Sequence, residues 1–222
     1  MVIAALLGLT AAAEVPLPDY RDALARQQWA AVNERLEAGC ATDRFPVVCA
    51  EGTVDRVIAE VDAWQRTVGE SARLEYLAGL AARYGGREAA AVRRYEHALQ
   101  LDPGLAEAWY DLGEIRMGRG DLEGARACFE HVAELRTDGQ LGWVGPWRLA
   151  EVAALGHDPA AFEANLKEAL RRGFSLRQIA GQPNWKAFYA DPALQDVLDK
   201  LLTVYAAPEV RDSLRATPAP AP

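Results

Sequence analysis

The sequence predicts an all-α protein, an α-solenoid of stacked helix-turn-helix hairpins closed by a C-terminal capping helix. Three observations carry this. Two helix-forming blocks between Ala72 and Gly139 repeat at an offset of 34 residues: Tyr95-Glu96-His97-Ala98 returns as Phe129-Glu130-His131-Val132, and Gly79, Gly86, Ala91 and Leu101 return as Gly113, Gly120, Ala125 and Leu135. A fixed period of that size marks hairpins that bury their apolar faces by stacking. Outside the blocks, apolar residues recur at helical spacing, as in Tyr20, Ala23, Leu24, Ala31, Val32 and Leu36. The turns have matching chemistry, with Gly120 free to take the open conformation and Asp121 placed to cap the next helix.

With 222 residues, half of them hydrophobic, the chain can bury a substantial core, and one elongated domain is expected. The net charge is −8, and the ratio of acids to bases runs from 11:6 over residues 14–70 to 9:9 over residues 140–222. No basic stripe exists to displace counterions, which argues against nucleic acid and against a polybasic membrane contact.

Taken in order, Met1–Ala13 is an uncharged apolar run ending in three alanines, read as a signal peptide cleaved before Glu14. It is too short for a membrane span, which needs about 20 apolar residues. The other reading is a plain N-terminal helix in a cytoplasmic protein. Residues 14–71 then form an N-terminal hairpin: Asp19 caps a helix to about Ala38, Gly39 stops it, and Thr53 caps a second helix through Arg66 with Val54, Ile58, Val61 and Trp64 inward. Cys40 and Cys49 flank the connecting loop. In an oxidising compartment they can join; in a reducing one they are two ordinary thiols.

Residues 72–139 hold the two repeat blocks, with Ser71 as a cap and Asp102-Pro103 ending one unit and opening the first turn of the next. Residues 140–174 form a third, degenerate hairpin, Trp143 to Leu155 and Pro159 to Arg172. Residues 175–207 form the C-terminal cap, in which Ser175 and Asp191 start short helices and Leu194, Val197, Leu198, Leu201 and Leu202 line one face. A short helix from Glu209 and the Thr217–Pro222 tail complete residues 208–222.

The second block, Trp109, Leu112, Gly113, Gly120-Asp121, Ala125, Phe129 and Leu135, resembles the tetratricopeptide repeat (TPR). The first, Gly79, Ala91, Tyr95 and Ala98, is a looser copy with Glu75 and Ala78 at the places of a large aromatic and a leucine. Residues 175–207 resemble the closing segment of bacterial TPR arrays. The resemblance implies a repeat core of Gly79, Ala91, Tyr95, Ala98, Trp109, Leu112, Gly113, Ala125 and Phe129. It also implies a concave, peptide-binding groove lined by Arg73, Tyr76, Leu80, Arg83, Tyr84, Tyr110, Glu114 and Met117. The partner is then another protein or peptide, bound by a non-catalytic scaffold in the cell envelope. A chaperone C-terminal carboxylate is not expected, because Tyr76, Leu80, Glu107 and Asp111 stand where the family's clamp has lysines and asparagines.

No catalytic constellation, metal site or cofactor motif is read. His97 and His131 sit beside glutamates on an outward helix face, His157 lies in a turn, and Ser71, Ser175 and Ser213 have no histidine nearby in sequence. Asp111 and Glu114 read as an ordinary surface pair, and Cys128 as a small buried thiol. Two rival readings are a cell-wall hydrolase accessory, which requires Trp143, Trp147 and Trp185 exposed in a row, and a purely structural spacer.

Overall fold

The computed structural model describes residues 17–41, 47–137 and 139–216, so the leader-like Met1–Ala13 and the Thr217–Pro222 tail lie outside it. The described chain consists of helical hairpins and one small strand pair. It divides into two compact units, one ending at Ala91 and the other beginning at Val92.

The first unit contains α1 (Leu17–Gly39), β1 (Cys40–Ala41), β2 (Val48–Cys49), α2 (Thr53–Val68) and α3 (Ala72–Tyr84). Helix α1 starts two residues before the expected Asp19 cap, with Pro18 in its first turn, where proline lacks only an N–H that the helix would leave unpaired. Thr53 does not cap α2. That position belongs to Gly52 at φ 72°, with no side-chain hydrogen bond, and Thr53 is a buried helical residue. Ser71 does stand at the N-cap of α3, yet its hydroxyl makes no capping bond. Val32 and Leu36 from α1, Val57 and Val61 from α2, and Leu74 and Leu77 from α3 form the sealed core, with Trp64 and Tyr84 packed at its edge. Each such side chain contributes about 1.5–3 kcal/mol by leaving water.

The strand pair was not foreseen. β1 and β2 run antiparallel with Cys40 opposite Cys49, and these two residues are joined by a disulfide. Closing so short a loop stabilises the fold by about 2.5–3 kcal/mol in the chain-entropy treatment. The bond and the two-residue ladder reinforce one another, since each holds the other's register.

Helix α4 (Glu88–Leu101) crosses the division, and the second unit continues with α5 (Ala106–Gly118), α6 (Leu122–Leu135), α7 (Val144–Leu155) and α8 (Pro159–Arg171). A 3₁₀ turn (Leu176–Ile179), α9 (Pro183–Ala190), α10 (Pro192–Tyr205) and α11 (Pro208–Arg215) follow. α5 packs on α6, α6 on α7, and α7 on α8, while α10 covers α8 and α9. Three aspartates cap, Asp121 and Asp191 as expected and Asp158 in addition: Asp121 accepts from the Gly124 N–H at 3.0 Å, Asp158 from Ala161 at 2.9 Å and Asp191 from Ala193 at 2.9 Å. Each bond is worth about 1 kcal/mol because it satisfies a donor that the helix cannot. Pro103 differs from expectation. It lies in the turn before α5 rather than in its first turn, and its carbonyl accepts the Trp109 indole N–H at 2.9 Å.

Small residues decide how closely these helices approach. A Cβ on Gly113 would lie 2.7 Å from the Phe129 ring, so the α5–α6 crossing depends on glycine there. Across α6 and α7 the contact is tighter in kind, because a Cβ on Gly145 would meet the Ala133 backbone nitrogen at 2.5 Å. Beyond this crossing, Arg172 donates from one guanidinium nitrogen to the carbonyls of Ala133 at 2.9 Å and Arg136 at 3.1 Å, the open C-terminal end of α6. A cation there complements both unpaired carbonyls and the helix dipole. The apolar interior of the cap, including Phe162, Leu166, Trp185, Leu194 and Leu198, is fully sealed.

Gly145→Ala is expected to destabilise the protein by about 1–3 kcal/mol, since a backbone neighbour cannot rotate away as a side chain can. The loss outweighs the gain of up to about 1 kcal/mol from alanine's helix preference. Urea unfolding of the two proteins measures the difference, and an equally stable variant would show that the crossing is not tight.

Candidate binding face

On α5, Tyr110, Glu114 and Met117 follow at spacings of four and three, which puts them on one side of the helix. The structure brings to this side a residue that the sequence reading did not single out, Arg148 of α7. Its guanidinium donates to the Glu114 carboxylate at 2.8 Å and to the Tyr110 hydroxyl at 2.7 and 3.1 Å. A third branch meets Glu151 on the next turn of α7. The group also stacks on Trp147, 4.2 Å from the ring centre, and lies 5.4 Å from that of Tyr110.

Glu151 is the deepest charge of the site, with 1 % of its surface exposed. One carboxylate oxygen serves Arg148, and the other accepts the Trp185 indole N–H at 2.8 Å and the Asn184 amide at 2.9 Å. Burying a carboxylate without partners costs several kcal/mol, so this set of donors is a condition of the fold. Desolvation works against the charge on Arg148, but Glu114 and Glu151 overcome it and raise the guanidinium above its ordinary value. Burial likewise pushes the Tyr110 phenol up, against the pull of Arg148. At neutral pH the site therefore holds a fixed cation and a neutral phenol whose hydroxyl accepts from Arg148.

Several expectations change here. Asp111 is buried at 8 % exposure, and Glu114 belongs to a half-buried ion network, so the two are not a plain surface pair. His131 is exposed, yet its ring stacks on Trp109 at 4.1 Å between centres. His157 pairs through Nδ1 with Asp191 at 3.0 Å, and it holds a left-handed backbone, φ 52°. Trp185 is completely buried, while Trp147 stacks on Phe174 and Trp143 packs tilted against it, so these three tryptophans do not form an exposed row. Cys128 is buried beside Arg116, and desolvation raises its thiol, the opposite of what a nucleophile needs.

In the first unit, Arg73 is exposed and Leu80, Arg83 and Tyr84 are half-buried, whereas Tyr76 is buried and serves packing rather than open contact. Tyr84 also borders a cleft of about 400 Å³ formed with residues 47–52, 54, 55 and 85–87, where Arg87 holds Asp55 through two hydrogen bonds of 2.6 and 2.9 Å. The repeat-core residues Ala91, Tyr95, Ala98, Leu112, Ala125 and Phe129 are all buried, and Trp109 packs beside them. Among the described residues, no group of three histidine, cysteine or carboxylate side chains is placed to hold a metal ion. No described helix is long and apolar enough to cross a membrane.

A signal for Arg148 and Glu151 was present in the period. Arg148 follows Glu114 by 34 residues, and Trp185 follows Glu151 by 34. Side-chain similarity fades beyond Gly139, which hides the period there.

Residues 84–141, which span α4, α5 and α6, match the tetratricopeptide repeat family. Among solved structures, the C-terminal part of a TPR repeat-containing protein from Cytophaga hutchinsonii is similar at 14% identity, with a TM-score of 0.45, over 82% of this chain and 79% of that one. None of the curated proteins matches.

Replacing Glu151 with leucine is expected to cost about 3–5 kcal/mol, because the Trp185 and Asn184 donors lose their acceptor and Arg148 keeps only Glu114 and Tyr110. Replacing Arg148 as well is expected to cost at least as much, because Glu114 then loses its partner too. Chemical unfolding of the single and double variants checks this, and a double variant more stable than the single one would show that Glu114 does not depend on Arg148.

Proposed function

We propose that this protein is a non-catalytic scaffold of the bacterial cell envelope that binds a protein or peptide through the first-helix faces of its repeats. Tetratricopeptide repeats are protein-interaction scaffolds, which the family match supports in general terms. The observation that carries the finer reading is the face on α5 and α7. Tyr110, Met117 and Trp147 offer half-buried aromatic and thioether surface, and the polar groups between them are preorganised by Arg148. Preorganised aromatic anchors lower the entropy lost when a partner is ordered against them. In the first unit, Arg73, Leu80, Arg83 and Tyr84 offer a comparable mixture of contact area and charge. The groups at this face are paired with one another rather than poised for proton transfer, which is why a binding role is preferred to a reaction.

Export is supported by the apolar run Met1–Ala13 together with the Cys40–Cys49 disulfide, since such bonds persist outside reducing compartments. The cell-wall accessory reading receives no support from the buried Trp185.

Two single variants probe the two faces separately, Tyr84→Ala in the first unit and Met117→Glu in the second. Partner captured from the native organism and then purified is expected to bind at least one of them roughly tenfold more weakly, a loss typical of a contact residue. Both side chains also pack at the edge of a core, so both variants are expected to melt somewhat below the parent yet remain folded at the temperature of the binding measurement. Undiminished binding by both variants would favour the spacer. An acidic chaperone tail peptide is expected to give no saturable fluorescence polarisation change, and a tight signal would overturn the absence of a carboxylate clamp.

A further inference from the structure

We propose that the groove between the end of α1 and the start of α2 is a site for a small organic phosphate, its phosphoryl group held by Arg35, Arg56 and the Thr53 hydroxyl.

The groove has a volume of about 620 Å³, within the range of small-molecule sites. Two helix stripes form its walls. On α1, Arg35, Ala38 and Gly39 share one face; on α2, Thr53, Arg56, Val57 and Glu60 do the same, at spacings of three, one and three. The Arg35 guanidinium is tied to the Glu60 carboxylate, and Arg56 donates from Nε to the Gly52 carbonyl at 3.2 Å, so both cations are oriented by the protein itself. One carboxylate against two guanidinium groups leaves a surplus of positive charge, in a segment that otherwise carries more acids than bases.

The third polar group is Thr53. It is 6 % exposed and lines the groove, and its hydroxyl has no hydrogen-bond partner among the described residues. A Cβ on Gly39 would lie 2.5 Å from the Thr53 methyl and 2.9 Å from its hydroxyl, so glycine at that place keeps the hydroxyl uncovered. A buried hydroxyl without a partner is unfavourable, and an oxyanion oxygen satisfies it. Thr53 also opens α2, which brings the positive end of that helix dipole to the groove. Asp55, the acid of the same first turn, is held by Arg87 in the neighbouring cleft. The C-terminal end of α1 works against an anion, but the Gly39 carbonyl is already occupied by the Ala50 N–H at 2.7 Å.

The donors define the ligand. Planar guanidinium forks and a hydroxyl suit a phosphoryl group, which offers several strong acceptor oxygens and a charge of about −1.5 to −2 at neutral pH. Such a group fills only a part of the groove, and Ala38, Ala50 and Val57 supply apolar wall for an organic remainder. The site shares no residue with the helix faces proposed for a peptide and does not depend on that reading.

Amide shifts of the full chain, followed by NMR at fixed ionic strength, test this with phenyl phosphate and with inorganic phosphate. Phenyl phosphate is expected to shift amides of residues 35–39 and 52–57 saturably. Inorganic phosphate is expected to shift the same amides but to bind roughly tenfold more weakly, for want of apolar contact. Arg56→Gln and Thr53→Val are each expected to weaken phenyl phosphate roughly tenfold, as loss of a charge-assisted hydrogen bond does. Thr53→Ser, which keeps the hydroxyl, and Arg126→Gln, which removes an exposed charge from α6, are expected to leave it unchanged. Arg56 is exposed, so its variant tests the site even where a change at buried Thr53 disturbs folding. Shifts that do not saturate, shifts confined to other residues, or undiminished binding by the Arg56 variant would overturn the proposal. So would equal weakening by Arg126→Gln, since binding would then follow net charge, or equal affinity for inorganic phosphate, since the groove would then take an adventitious ion only.

Discussion

The buried carboxylate of Glu151 constrains the second unit more than any other single group. A charge taken out of water must be met by donors of good geometry or the fold loses several kcal/mol. Here the donors come from α7 itself through Arg148 and from α9 through Asn184 and Trp185. Arg148 in turn requires Glu114 and Tyr110 on α5. One acid thus links the second repeat, the degenerate hairpin and the cap, and none of the three can shift far without leaving a polar group unpaired. Apolar burial around Phe162, Trp185 and Leu198 supplies most of the stabilisation. The polar knot specifies which arrangement that burial takes.

The repeat period explains how such a knot forms between helices far apart in sequence. In a stack of like hairpins, positions one period apart stand side by side. Glu114 meets Arg148, Glu151 meets Trp185 and His157 meets Asp191, each across 34 residues. The spacing persists in contacts even where residue types have diverged. Divergence also serves a purpose: α7 replaces the usual small residue at the next repeat place with Trp147, whose ring carries Arg148, and moves its close approach to Gly145. Terminal hairpins face a cap on one side, so their chemistry departs from that of the interior repeats.

For a scaffold, the consequence is a face that is already ordered. Tyr110 and Arg148 are held by each other and by acids beneath them, so a partner does not have to immobilise them on arrival. The first unit is built differently. Val32 and Leu36 of α1 pack there with Val57, Val61, Leu74 and Leu77, and the Cys40–Cys49 disulfide stands beside them.

The hairpins, their caps at Asp121 and Asp191, and the buried places of Ala91, Tyr95, Ala98, Ala125 and Phe129 were legible in the sequence, because helical periodicity, capping chemistry and small residues at crossings are local properties that recur at a fixed interval. Helix starts near Thr53 and Pro103 were misplaced, since tertiary packing chose among several acceptable turns. Asp111, Glu114 and His131 read as solvated charges, as their residue types ordinarily are, and only the fold showed the first two drawn inside and the third laid on Trp109. The sequence by itself determined the class of architecture and the period. The tertiary structure decided which polar residues meet and which are sealed from water, because pairing and desolvation depend on neighbours that no local pattern names.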